Sequence, residues 1–177
     1  MAPAQLLAWD QAGLALAHAA RAPWLDSVFV VVTWLGSLLL LLPLAMLAWW
    51  WRRGERSAGF VALALIGASA LGHLAKLVMA RPRPDLYPPL VPMPEDWSFP
   101  SAHAAQATAL ALAWLLRPGR SPGRIEVSVL AAVVALVAVS RPYLQVHFPS
   151  DVIAGVLLAA VWVVLLRRLP VWRENSK

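Results

Sequence analysis

Five apolar runs, bounded by charges or by proline and glycine, divide the chain into segments 25–51, 57–79, 101–116, 125–140 and 150–166. Runs of this kind predict membrane-crossing helices, because away from water only a helix or a closed barrel satisfies its own backbone. The last three are short against the ~20 residues of a full crossing, so their outer ends are expected to stop below the headgroups or to thin the bilayer. Segment 4–20 is mixed: Leu6, Leu7, Leu14 and Leu16 favour burial, whereas Gln5, Asp10, Gln11 and His18 oppose a simple span. It reads either as a sixth crossing with its polar side toward the bundle or as an amphipathic helix in the outer interface. Residues 80–100 hold seven of the fifteen prolines, which excludes a regular helix and predicts a semi-rigid loop. The fold expected is all-α: a polytopic membrane helical bundle of about six helices, forming one domain over residues 1–177.

Composition narrows the class. With 60% apolar and 14% charged residues, the chain is too hydrophobic for an ordinary soluble domain. It has no cysteine, so neither disulfides nor thiolate metal ligation contribute. The excess of 15 Lys+Arg over 9 Asp+Glu forms no patch on a soluble face, so no nucleic-acid partner is expected. Ten basic residues fall instead in three clusters: Arg52, Arg53 and Arg56; Arg117, Arg120 and Arg124; and Arg167, Arg168, Arg173 and Lys177. Such clusters mark cytoplasmic ends, and Trp49, Trp50, Trp51, Trp114 and Trp172 beside them suit interfacial anchors. No cleavable signal peptide is expected, since the amino-terminal stretch lacks a basic flank and contains Asp10.

With those clusters inside, the remaining polar blocks all fall on the outer side. They are Lys76 with Arg83-Pro84, Pro100-Ser101-Ala102-His103, and Ser140-Arg141 with His147 and Asp151. Polar groups this dense are costly beside lipid and therefore read as a site. Ser101 and Ala102 open a helix, whose free N–H groups and dipole favour an anion, and Lys76, Arg83 and Arg141 can add charge-assisted bonds to phosphoryl oxygens. His147 precedes Asp151 by four residues, so one ring nitrogen can meet the carboxylate while the other attacks phosphorus. His103, on a different helix, can protonate the departing oxygen.

Lys76-x6-Arg83-Pro84, Pro100-Ser101-Ala102-His103 and Ser140-Arg141-x5-His147-x3-Asp151 together resemble the three signature motifs of the type 2 phosphatidic acid phosphatase family. The resemblance spans residues 76–151 by motif and the whole chain by helix layout. It implies a hydrolase in which His147 is the nucleophile, Asp151 its partner and His103 the acid, with Lys76, Arg83, Ser101, Ala102 and Arg141 holding phosphate. It also implies a reaction without metal or cofactor. Alanine stands at 102 where the family usually has glycine; if the residue lies in the first helical turn, alanine is neutral there and keeps its N–H for phosphate.

The substrate expected is a phosphorylated lipid in a bacterial cytoplasmic membrane, with the site on the periplasmic side and no obligatory protein partner. Undecaprenyl diphosphate is the first choice within the resembled family; phosphatidylglycerol phosphate, phosphatidic acid and lipid A phosphate are alternatives. Phosphotransfer to a second lipid would use the same phosphohistidine. An anion transporter would need polar residues through the inner halves of the spans, where Leu38 to Leu42 and Leu157 to Leu166 are nearly all apolar, and a structural scaffold leaves the spaced motifs unexplained. A His/Asp metal site at His103, His147 and Asp151 is disfavoured by three neighbouring cations. Arg81 is expected to meet headgroups or solvent, and His73, His18 and Asp10 to be packing residues.

Overall fold

The computed structural model describes residues 7–51, 56–119 and 121–172, with Arg56 described by its backbone alone. Arg52, Arg53, Arg120, Arg173 and Lys177 of the basic clusters, and Gln5 and Leu6 of the first segment, lie outside them. The described residues hold seven α-helices: α1 (Ala8–Ala19), α2 (Pro23–Val32), α3 (Leu38–Trp51), α4 (Arg56–Met79), α5 (Ala102–Leu116), α6 (Arg124–Tyr143) and α7 (Pro149–Arg168).

α5 is the central helix and packs on α4, α6 and α7. Its buried face is almost entirely alanine: Ala104, Ala105, Ala107, Ala109, Ala111 and Ala113. In lipid no hydrophobic force gathers helices, so small residues that let backbones approach provide the packing. The closest approach is at Gly155 on α7, where a Cβ would lie 2.5 Å from the carbonyl oxygen of Ser101. Phe60, Ala64 and Ala68 of α4 and Ala159, Val163 and Leu166 of α7 complete this core. Leu39, Leu74, Val78, Ile125, Leu157 and Val161 remain exposed, as lipid-facing side chains should.

Among the described residues, three helices are long and apolar enough to cross a membrane: Ser57–Met79, Arg124–Tyr143 and Pro149–Arg168. Two of the runs expected to be short are thus full-length. α6 continues through Pro142 because the proline sits in the last turn, and α7 starts at Pro149 because proline fits a first helical position. α5 does stay short, its 15 residues reaching about 22 Å.

The 25–51 run is broken rather than continuous. α2 ends in a 3-10 turn, Thr33–Gly36, and the two halves meet at a 45° bend. Ser37 is extended, with ψ 131°, and its hydroxyl accepts the Leu39 N–H at 3.3 Å, which caps the new helix. Gly36 explains the location: a Cβ there would lie 2.6 Å from Val137 Cγ1 and 2.9 Å from the His103 carbonyl oxygen. The break therefore presses the first span against the second and third polar blocks.

α1 resolves the ambiguity of the first segment. Twelve residues reach about 18 Å, too little for a crossing. The helix instead lies across the ends of α6 and α7, with Asp10 and Leu14 buried, and its Leu14 carbonyl accepts from Gln145 Nε2 at 3.0 Å.

Candidate active site

The end of α4, the start of α5, the end of α6 and the start of α7 lie at one end of the bundle. Three local devices bring their side chains together. After α4, Ala80 adopts φ +43°, and its N–H closes the helix on the Lys76 carbonyl at 2.9 Å. This left-handed residue costs an alanine roughly 1–2 kcal/mol. It turns the chain so that Arg81 and Arg83 fold back over the helix ends. At α5, Ser101 precedes the first helical residue, Ala102, and its N–H donates to the Asp151 carbonyl at 2.9 Å, tying the second block to the third. Ala102 is outside the left-handed region, so alanine there carries no backbone strain.

The third device ends α6. Gln145 sits at φ +61°; its N–H donates to the Pro142 carbonyl at 3.0 Å, and the Val146 N–H donates to the Arg141 carbonyl at 3.2 Å. These two bonds make a Schellman motif with a glutamine in the left-handed position, where glycine is usual. The turn delivers His147 between Arg141 on α6 and Asp151 on α7.

His147 is buried and its two ring nitrogens face different partners. Nδ1 lies 3.5 Å from Asp151 Oδ2, at the outer edge of hydrogen-bonding range, and 3.4 Å from Ser98 Oγ. Nε2 lies 3.1 Å from Arg83 Nη1. Because guanidinium only donates, Nε2 must accept, which puts the ring proton on Nδ1 toward Asp151 and leaves the Nε2 lone pair facing the cations. Burial pushes this imidazole down to about 3; the Asp151 contact opposes the shift, and the Arg141 and Arg83 charges reinforce it. At neutral pH His147 is uncharged.

Asp151 is fully buried and fully engaged. Oδ2 accepts the Ser98 hydroxyl at 2.5 Å and the Phe148 N–H at 2.9 Å, while Oδ1 accepts Arg81 Nη1 at 2.6 Å. His103, half-buried in the first turn of α5, is within electrostatic reach of Arg141, His147, Arg83 and Lys76. Arg141 donates to Thr33 Oγ1 at the break in the first span. Two of the motif residues retain unused capacity: Ser101 Oγ and Arg141 Nε are buried and have no hydrogen-bond partner. Buried polar atoms are almost always bonded, so such a pair marks a place where an anion would be welcome.

Lys76 and Arg83 are held from the proline-rich loop. Lys76 Nζ lies 3.0 Å from Asp96 Oδ2 and donates to the Trp97 carbonyl. Arg83 Nη2 donates to Asp96 Oδ1 at 2.5 Å, and its Nε donates to the Asp96 carbonyl at 2.8 Å. Burial raises the Asp96 carboxyl, but the bonds and charges of Arg83 and Lys76 outweigh it and hold the group below the usual carboxylate range.

All eight residues singled out from the sequence thus sit at this end. Reading the sequence missed five others. Arg81, expected to meet headgroups or solvent, bonds Asp151, Ser150 and Asp10 instead. Asp10 is buried in that network, not merely packed. Ser98, Asp96 and Thr33 sit in irregular or apolar stretches with nothing in their spacing to mark them. A signal existed for Asp10 alone, since a carboxylate among leucines needs a buried counter-charge. His73 is exposed on α4, and His18 stacks on Tyr87 with centroids 4.2 Å apart, so neither joins the site.

A bundle of membrane-crossing helices with a cationic cup around two imidazoles defines a class, and comparison with known proteins identifies it. Residues 57–175 match the model of the PAP2 superfamily, and the chain belongs to that family. It is 34% identical over 156 residues to phosphatidylglycerophosphatase B of Bacillus subtilis, covering 83% of this chain and 76% of that protein. It is also 33% identical over 147 residues to an undecaprenyl-diphosphatase of Sulfolobus acidocaldarius, covering 80% and 68%. The fold superposes on the crystal structure of a transmembrane PAP2-type phosphatidylglycerolphosphate phosphatase from Bacillus subtilis with a TM-score of 0.80 at 28% identity, covering 90% of this chain and 83% of that one. The protein is therefore a multi-pass membrane protein whose relatives are phosphatases of membrane lipids.

Proposed function

We propose that the chain, acting as one domain over residues 1–177, hydrolyses a lipid phosphomonoester or diphosphate through a phosphohistidine on His147. The observation that carries this is the orientation of His147: a neutral ring with Nδ1 toward Asp151 and a Nε2 lone pair turned toward Arg83. Phosphate enters the cup, bonded by Lys76, Arg83 and Arg141, by the Ser101 hydroxyl and by the Ala102 N–H. His147 Nε2 bonds to phosphorus as the bond to the leaving oxygen breaks, and His103 supplies that oxygen with a proton. Neutral His103 then takes a proton from water, whose oxygen attacks phosphorus and breaks the P–N bond, freeing phosphate and His147. The cations neutralise the charge that spreads over the equatorial oxygens, which is where phosphoryl-transfer catalysis chiefly acts.

The reaction needs no metal on this reading, because three cations fill the role and every Asp151 oxygen already accepts a donor. Arg117, Arg124, Arg167 and Arg168 gather at the opposite end of the bundle, which supports a cytoplasmic inner end and a site on the outer face of the cell membrane. The first substrate is undecaprenyl diphosphate, the substrate named for the Sulfolobus relative. Phosphatidylglycerol phosphate, as named for the Bacillus relative, is the runner-up. The test is phosphate release by purified protein in detergent from carrier diphosphate, phosphatidylglycerol phosphate, phosphatidic acid and lipid A, with His147→Ala and EDTA as controls. The reading requires turnover of at least one lipid, its loss in His147→Ala and indifference to EDTA. Phosphorylated acceptor in place of free phosphate would make the enzyme a transferase.

A further inference from the structure

Asp10 belongs to α1, a helix outside the three motif blocks, yet its carboxylate is fully buried beside Asp151. Its Oδ1 accepts the Ser150 N–H at 2.8 Å, and its Oδ2 accepts the Ser150 hydroxyl at 2.6 Å and Arg81 Nη2 at 2.8 Å. Arg81 carries the connection onward. Its Nη1 donates to Asp151 Oδ1 at 2.6 Å and to Ser150 Oγ at 2.7 Å, and its guanidinium lies 4.2 Å over the Phe148 ring. The opposite oxygen of Asp151 faces Ser98, the Phe148 N–H and His147 Nδ1. One line of contacts thus runs from Asp10 through Arg81 and Asp151 to His147.

We propose that Asp10 is a positioning residue for the Asp151–His147 pair, acting by sharing the charge of Arg81. This rests on His147 being the nucleophile and deepens that reading. With Asp151 as its only anionic partner, Arg81 would draw the carboxylate away from the imidazole. A second carboxylate on the other arm of the guanidinium divides that pull and fixes the arginine between two acceptors. The three side chains then carry one net negative charge directly behind His147. That charge is what the imidazole needs as its Nε2 bonds to phosphorus and the ring becomes cationic.

A purely structural role for Asp10 would leave this arrangement unexplained. α1 is already fixed by the Leu14–Gln145 bond and by Gly13, where a Cβ would lie 2.6 Å from Pro149 Cγ, and neither contact needs an ionised group. Burying a carboxylate is costly unless it is paired, and here the pairing partner is the arginine that touches Asp151.

The test is phosphate release by the purified full chain in detergent, with activity normalised to folded protein. Asp10→Asn preserves shape and the Ser150 acceptor while removing the charge. The expected result is a kcat lowered about tenfold, the size of one charge-assisted bond, with KM within about twofold of the wild type. Asp10→Glu should recover part of the loss. Asp10→Asn added to Arg81→Gln should cost little more than Arg81→Gln alone, because both act through one path. Wild-type kcat in Asp10→Asn, a loss carried wholly in KM or in the folded fraction, or fully multiplicative losses in the double variant would overturn the proposal. If Asp10→Asn does not fold, Arg81→Lys takes its place. That change keeps the charge but removes the planar fork whose two arms reach Asp151 and Asp10 separately, and wild-type kcat there overturns the proposal equally. Should the wild type release phosphate from no lipid, or His147→Ala retain turnover, the nucleophile reading fails. An active wild type, an inactive His147→Ala and an unaltered Asp10→Asn defeat only the positioning role.

Discussion

Asp96 pairs with Lys76 and Arg83, the cations that hold phosphate in the proposed function, so on that proposal its charge should weaken phosphate binding. The carboxylate meets Lys76 at 3.0 Å and Arg83 at 2.5 Å, in roughly the role a phosphoryl group would take, and its side chain is 47% exposed. Ion pairs with one partner in water are each worth about 0.2–1 kcal/mol after screening. Two of them amount to about 0.5–2 kcal/mol, or roughly a 2- to 30-fold change in an equilibrium constant. Asp96→Asn keeps the shape and removes that competition. The inhibition constant for inorganic phosphate, measured against hydrolysis of a short-chain lipid phosphate, is therefore expected to fall by a factor in that range at low salt. The gap should narrow at high salt, as screening weakens the wild-type pairs. kcat should change little, because Asp96 does not touch His147. An unchanged or weaker phosphate inhibition constant in Asp96→Asn would refute the competition and make Asp96 a support that orients the two cations.

His103→Ala is expected to lose about 10²- to 10⁴-fold in kcat for a lipid ester, the usual contribution of a positioned acid. A substrate analogue with a good leaving group such as p-nitrophenol should recover much of that loss, and equal losses on both substrates would count against the assignment. Gly155→Ala must push α5 away from α7, since the new Cβ meets the Ser101 carbonyl at 2.5 Å. A destabilisation of about 1–3 kcal/mol is expected, read as a lowered melting temperature in detergent with reduced phosphate release. The pH dependence of stability follows from His147. In the unfolded chain this histidine takes up a proton as pH falls through about 6.5, whereas burial holds the folded value at about 3. Its contribution is thus fully present above about pH 6.5 and is lost progressively toward pH 3, where the unfolded state binds the extra proton. His147→Gln should flatten that part of the stability curve, and identical acid profiles for the two proteins would contradict it.

The helical class and three of the five expected crossings, at Ser57–Met79, Arg124–Tyr143 and Pro149–Arg168, were legible in the sequence because apolar length is a direct consequence of bilayer thickness. Ends were less so. α6 and α7 outran their expected limits because arginines and prolines that read as boundaries are absorbed in the terminal turns. The break at Thr33–Gly36 was invisible, since it answers to the close approach of His103 and Val137 from elsewhere in the chain. At the candidate site, the convergence of the motif residues was legible because the cations, imidazoles and helix starts flank apolar helices that alternate in direction, which brings them to one end of the bundle. The groups that hold them were not. Ser98, Asp96 and Thr33 are recruited by tertiary contact alone, and Arg81 was misjudged because its partner Asp10 lies 71 residues away.

The central claim is that His147 becomes covalently phosphorylated, and rapid quenching with a lipid whose transferable phosphoryl group carries ³²P tests it most directly. The account requires protein-bound label that survives alkali, is released by acid, maps to the peptide containing His147 and is absent from His147→Gln. Undiminished turnover in His147→Gln, or label on any other residue, would contradict it.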